Sequence, residues 1–130
     1  VALSLVEREA GAVVGHILFS DLDVMVDGRA ARAVALAPMA VEPARQRTGI
    51  GSRLVRTGLG ILKDRGYEAV IVLGHPDYYP RFGFSAALAA KLTAPFSGAA
   101  FMALELKPGA LAGTRGAVRY PRAFRIEDPA

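Results

Sequence analysis

The chain reads as a mixed α/β domain built on one sheet, and three observations predict it. A glycine-bearing, positively charged run, Val41-Glu42-Pro43-Ala44-Arg45-Gln46-Arg47-Thr48-Gly49-Ile50-Gly51-Ser52, joins an apolar strand-like segment to an amphipathic helix-like one. A short uninterrupted apolar segment, Ala69 to Leu73, follows and reads as a buried strand. Strand, helix and strand over about forty residues make a right-handed βαβ unit with parallel strands. Further strand patterns on both sides of this unit extend the sheet.

Val1 to Glu7 reads as the first strand and Ala12 to Phe19 as the second, with Arg8-Glu9-Ala10-Gly11 as a hairpin connection. Asp21 to Arg29 is polar and contains Asp27-Gly28, a turn signal. Ala33 to Val41 is the third strand. Pro38 interrupts it, and a proline inside a strand pattern marks an edge or a bulge. A bulge there would splay the strand from its neighbour and free backbone groups for a ligand. Ser52 to Arg65 is the helix, with Leu54, Val55, Gly58, Leu59 and Leu62 on one face and Gly66 as its stop. Gly74 to Phe84 is a polar, aromatic-rich turn region at the carboxyl end of the Ala69–Leu73 strand, where open α/β sheets bind ligands. Ala99 to Leu106 and Ala117 to Phe124 are two more strands.

Composition bounds the classes of function. The chain of 130 residues fits one domain, residues 1–130, and is long enough to bury a core. Its 52% apolar and 22% charged residues are ordinary for a globular domain. No apolar run approaches the roughly 18–20 residues of a membrane span, and no secretory leader is evident. Zero cysteines exclude disulfides and thiolate chemistry and fit a cytoplasmic protein. The net charge of +4 is spread without basic runs or interleaved aromatics, so nucleic acid is not the expected partner. A modest positive balance suits an anionic small ligand. The two histidines, His16 and His75, stand far apart and no ligand cluster surrounds them, so no metal is expected.

The chemistry concentrates at the joint before the helix. Glycines let backbone N–H groups approach a ligand closely, and a helix start aims unpaired N–H groups and the positive end of its dipole at the same point. A phosphate or pyrophosphate is the natural occupant. Gln46-x-x-Gly49-x-Gly51 is neither the G-x-G-x-x-G dinucleotide fingerprint nor a P-loop ending in Gly-Lys-Ser/Thr. Arg45, Gln46 and Arg47 add donors and charge beside it. A strand-to-helix turn that uses glycine only for geometry is the plain alternative.

Val41-x-Pro43-x-x-Gln46-x-x-Gly49-x-Gly51 resembles the acetyl-CoA signature of the GNAT N-acetyltransferase superfamily, Gln/Arg-x-x-Gly-x-Gly/Ala. Tyr78-Tyr79-Pro80-Arg81-Phe82-Gly83-Phe84 resembles its second signature, Tyr-x-x-x-Gly-Phe, with one helix and one strand between the two. Gly74 to Phe84 together with Phe101 to Leu106 is similar to a bacterial branch of predicted acetyltransferases. The resemblance covers Val1 to about Phe124. It implies a mostly antiparallel mixed sheet with a central splayed parallel pair and flanking helices.

The resemblance also implies a site. Backbone groups of Met39, Ala40 and Val41 would hold the pantetheine arm of acetyl-CoA, the acyl donor. Backbone N–H groups of Gln46, Arg47, Thr48, Gly49, Ile50, Gly51 and Ser52 would cradle the pyrophosphate, with Arg45 or Arg47 beside a phosphate. Tyr79 holds the second signature's tyrosine position and would protonate the leaving thiolate. The alternative is that Tyr78, Tyr79, Phe82 and Phe84 only close the core, and packing suits Tyr78 and Phe82 better. His75 and Glu42 are candidates for the base that takes the amine proton, although each also has a plain reading as a turn residue or a solvated charge. His16 reads as a sheet residue.

The expected activity is acetyl transfer to a primary amine of a small molecule or peptide, without a metal or second cofactor. A non-catalytic CoA-binding regulatory module on the same fold is the alternative. Members of the superfamily generally begin with a strand and one or two helices ahead of the hairpin seen here at Val1. The domain is therefore expected to be N-terminally short, with part of the acceptor site beyond it. The apolar C-terminal strands suit pairing across a homodimer.

Overall fold

The structure, a computed structural model, describes residues 1–93, 98 and 100–119. Among the described residues seven strands form one mixed sheet: β1 (Leu3–Glu9), β2 (Ala12–Val26), β3 (Arg29–Val41), β4 (Ala69–Leu73), β5 (Leu92–Thr93), β6 (Phe101–Glu105) and β7 (Gly116–Arg119). Their order is β5-β7-β2-β3-β4-β6, and β1 lies beside the first half of β2, end to end with β7. β3 and β4 are parallel neighbours at its centre, joined by the helix α1 (Ile50–Asp64); β5 and β7 also pair in parallel. A one-turn helix, α2 (Ala86–Ala89), precedes β5. No helix among the described residues is long and apolar enough to cross a membrane.

The first hairpins are longer than the sequence pattern suggested. β2 runs on to Val26 and β3 begins at Arg29, so the polar stretch from Asp21 is strand, not turn. Period-two alternation explains it: Leu22, Val24 and Val26 are buried while Asp21, Asp23 and Met25 face outward. Asp21 is not idle there, since its carboxylate accepts the Tyr67 hydroxyl at 2.7 Å. Asp27-Gly28 is the turn itself, with φ of 49° and 79°; Ala10-Gly11, with 51° and 82°, does the same between β1 and β2. Both are two-residue loops with positive φ at both positions, the geometry that matches strand twist.

Three other boundaries differ. The helix starts at Ile50 rather than Ser52, because Gly49 takes the left-handed conformation that ends the loop and Ile50 is 1% exposed in the core. The short α2 and β5 carry too little periodicity to be read from sequence. β7 spans Gly116–Arg119, and the rest of the strand expected to reach Phe124 lies outside the described residues, as does Ala99 at the head of the strand now seen as Phe101–Glu105.

The sheet is covered on both faces. On one, Leu54, Val55 and Leu62 of α1 pack on Ile17, Phe19, Val34, Leu36, Val70 and Val72. On the other, Ala89 of α2, Leu92 and Leu111 cover Val24, Ala33, Ala35, Ile71 and Ala103. Gly58 sets how close α1 lies to the sheet: a Cβ there would stand 2.5 Å from the Phe19 ring. Alanine normally favours a helix over glycine by about 1 kcal/mol, but overpacking costs about 1–3 kcal/mol. Gly58→Ala is therefore expected to destabilise the fold by about 1–2 kcal/mol in urea titration. Gly60→Ala, where nothing lies within 4 Å, should stabilise it by about 0.5–1 kcal/mol.

Candidate functional site

The site begins where β3 and β4 part. Their parallel pairing runs from Ala33–Ala69 to Leu36–Val72 and stops. On the other edge of β3, Leu36 stands opposite Phe19 and Met39 opposite Ile17, so β3 carries one extra residue at Ala37–Pro38. This is the bulge expected at Pro38. Beyond it β3 continues to pair with β2 through Val41–Gly15 but has no ladder with β4. Proline cannot donate a ladder hydrogen bond, and an extra residue bends the strand.

A cleft of about 900 Å³ lies at this parting, lined by Met39, Ala40 and Val41 of β3, Gln46, Arg47, Gly49, Gly51 and Ser52 of the loop and helix start, and His75, Tyr78 and Arg81 beyond β4. The loop is pinned from within. Gln46 Nε2 donates to the Val41 carbonyl at 3.3 Å, and Thr48 Oγ1 donates to that of Arg45. Arg47 (φ 66°) and Gly49 (φ 91°) are both left-handed. Left-handed residues in such a turn point successive N–H groups into one concavity, an anion-binding arrangement. The first turn of α1 has neither a side-chain cap nor an acidic residue, so its N–H groups and dipole are uncompensated.

The candidates divide. Met39, Ala40, Val41, Gln46, Arg47, Gly49, Gly51, Ser52 and His75 line the cleft. Arg45 is drawn away to Glu9 at 3.0 Å, leaving Arg47 as the loop arginine at the cleft. The Thr48 side chain is turned to the loop backbone, and that of Ile50 is in the core. Glu42 is exposed and outside the lining; its N–H donates to Val14. His16 stands opposite Ala40 on β2 and is not in the lining either.

The two tyrosines sit at different levels. Tyr78 was expected only to pack, yet it lines the cleft with its hydroxyl 3.4 Å from Ser52 Oγ, at the start of α1. Tyr79 is 7% exposed and lies outside that lining. Its ring packs edge-on to Phe84 at 5.6 Å and so close over Gly74 that a Cβ there would stand 2.4 Å from it. Gly74 directly follows β4, which puts Tyr79 at the parting of the strands. Burial, and secondarily the neighbouring Tyr78, pushes the Tyr79 pKa above its ordinary value and keeps it protonated. Arg81 was not anticipated. Its Nε donates to the Tyr78 carbonyl at 2.9 Å and its guanidinium lies 4.5 Å over the Tyr78 ring. The i, i+3 spacing of Tyr78 and Arg81 was the available signal. Among the described residues no group of three or more His, Asp or Glu is placed to hold a metal.

Parallel strands that part beside an uncapped, glycine-bearing helix start leave a cleft whose free N–H groups suit an anionic ligand. The family profile "Acetyltransferase (GNAT) domain" matches residues 3–87, and the chain belongs to that family. It is similar to the uncharacterized N-acetyltransferase YhbS of Escherichia coli, 37% identical over 118 residues, which are 89% of this chain and 70% of that protein. It is also similar to the uncharacterized N-acetyltransferase YjhQ of Escherichia coli, 47% identical over 83 residues, 64% of this chain. The chain spans 46% of YjhQ, under half its length. The crystal structure of YhbS in complex with CoA superposes with a TM-score of 0.81, covering 93% of this chain and 68% of that one. A GNAT family acetyltransferase from Brucella melitensis in complex with acetyl-CoA superposes with a TM-score of 0.71 at 38% identity, covering 93% and 67%.

The raised pKa values of Tyr79 and Tyr67 carry a sign for stability. Tyr67 is raised chiefly by the hydrogen bond it donates to Asp21. A tyrosine harder to ionise in the folded state contributes stability that is complete below pH 10 and is lost as pH rises through the folded value. Urea midpoints should therefore fall as pH rises past about 10, and Tyr79→Phe should flatten part of that fall.

Proposed function

We propose that this chain transfers the acetyl group of acetyl-CoA directly to a primary amine. The observation that carries the reading is the cleft at the parted strands, which joins free strand backbone to an uncapped helix start. Pyrophosphate fits the concavity of Arg47 to Ser52. The pantetheine arm fits along Met39 to Val41 as an added strand would, and this directs the thioester toward Gly74 and Tyr79. The two relatives crystallised with CoA and acetyl-CoA support the choice of donor.

In the transfer, the amine nitrogen attacks the acetyl carbonyl carbon, a C–N bond forms and the C–S bond breaks. A strand N–H near Met39 polarises the carbonyl oxygen. Tyr79 gives its proton to the departing thiolate, and the amine proton passes through water to His75 and then to solvent, which reprotonates Tyr79. Tyr79 suits this role because it stands at the parting and holds its proton. Tyr78 is assigned to the phosphate end instead, since its hydroxyl stands 3.4 Å from Ser52 Oγ at the start of α1. Glu42 is a weaker base candidate, being exposed before the loop with its backbone N–H tied to the Val14 carbonyl.

Release of CoA thiol with a panel of amines tests this. Tyr79→Phe is expected to lower kcat by about 10²-fold with little change in KM, while Tyr78→Phe leaves kcat within a few-fold. Binding of acetyl-CoA with no release of thiol to any amine would instead leave a CoA-binding module. Independently, Gly51→Val should raise the Kd for acetyl-CoA by at least about tenfold. Even a Cβ at Gly51 would stand 2.9 Å from the Tyr78 hydroxyl and close the cleft floor.

A further inference from the structure

We infer that Arg81 is a second anion subsite, which takes the 3′-phosphate on the ribose of the donor and makes the site discriminate CoA from its dephosphorylated form. The inference rests on the reading of the cleft as an acetyl-CoA site. Two arginines line the cleft, Arg47 on the loop and Arg81 beyond β4. Neither forms an ion pair among the described residues, whereas Arg45 and Arg53 nearby are paired with Glu9 and Glu7.

Arg81 is held in place. Its Nε is committed to the Tyr78 carbonyl and its guanidinium carbon lies 4.5 Å over the Tyr78 ring, while neither terminal nitrogen has a hydrogen-bond partner among the described residues. An arginine fixed by stacking loses less freedom on binding a phosphate than a free one, and its fork matches phosphate oxygens. The pyrophosphate already has a partner set in the uncapped helix start, the left-handed loop and Arg47. A ligand carrying a diphosphate alone would leave Arg81 unanswered. CoA carries a second anionic centre, set apart from the pyrophosphate by the ribose, and the wall formed by Tyr78 and Arg81 stands at the phosphate end of the cleft. An acid group on the acceptor is the other source of such an anion. The acceptor, however, must reach the thioester near Gly74 and Tyr79, not the face of Tyr78 that carries Arg81.

The test is calorimetric titration of the protein with CoA and with 3′-dephospho-CoA at low and at raised salt. The wild-type chain is expected to bind CoA about tenfold more tightly, with the difference shrinking in salt. Arg81→Gln is expected to bring the ratio near one while leaving the affinity for dephospho-CoA unchanged, and Arg81→Lys to keep part of the preference as a point charge. Equal binding of both ligands by the wild type, or a ratio that survives Arg81→Gln, overturns the inference and leaves the acetyl-CoA reading standing. Loss of dephospho-CoA binding in Arg81→Gln also overturns it, since Arg81 would then only be supporting the Tyr78 wall. Failure of the wild type to bind either ligand overturns both readings together.

Discussion

The parting of β3 from β4 is the constraint on which the rest depends. One extra residue at Ala37–Pro38 breaks the register with β2 between Ile17 and Phe19, and the ladder with β4 ends at Leu36 and Val72. Up to that point the two strands are core, with Val34, Val70 and Ile71 fully buried. Past it, one edge of β3 has backbone groups without a strand partner. A closed sheet would have used those groups on itself, and the cleft would not exist.

The helix α1 makes the gap useful. Its apolar face packs on the sheet through Leu54, Val55 and Leu62, and Gly58 allows it to settle against Phe19. That packing orients its first turn, uncapped and free of acidic residues, over the free end of β3. The stability of the helix thus comes from one face of the core, while the unsatisfied groups at its start open onto the cleft. The aromatic run after β4 closes the far wall, where Tyr78 and Tyr79, adjacent in sequence, divide between the cleft and the core.

Much of this was legible. Ala69–Leu73 was read to the residue, because a short apolar run bounded by glycine has few other interpretations. The bulge followed from Pro38, and the loop positions that line the cleft, Gln46, Arg47, Gly49, Gly51 and Ser52, lie in the glycine-bearing run, while Met39, Ala40 and Val41 were implied by the family resemblance. What misled was polarity. Asp21 and Asp23 suggested a turn, yet on a strand with alternating burial they sit on the outward face, and Asp21 has Tyr67 as a partner. The rank of the two tyrosines was also hidden. A signature identifies a position in sequence, and neighbours in a tight turn point to different sides of it.

By itself, then, the chain determined the central strand–helix–strand unit, the bulge and the anion-suited chemistry of its loop, since these follow from local residue chemistry: proline without a donor, glycine without a Cβ, a helix start without an acid. Tertiary structure alone decided which side chains reach the cleft. Arg45 is taken by Glu9 from another strand, Arg81 is fixed over Tyr78, and Tyr79 is drawn down onto Gly74. Those outcomes depend on which surfaces the packed sheet brings together, and no local pattern encodes that.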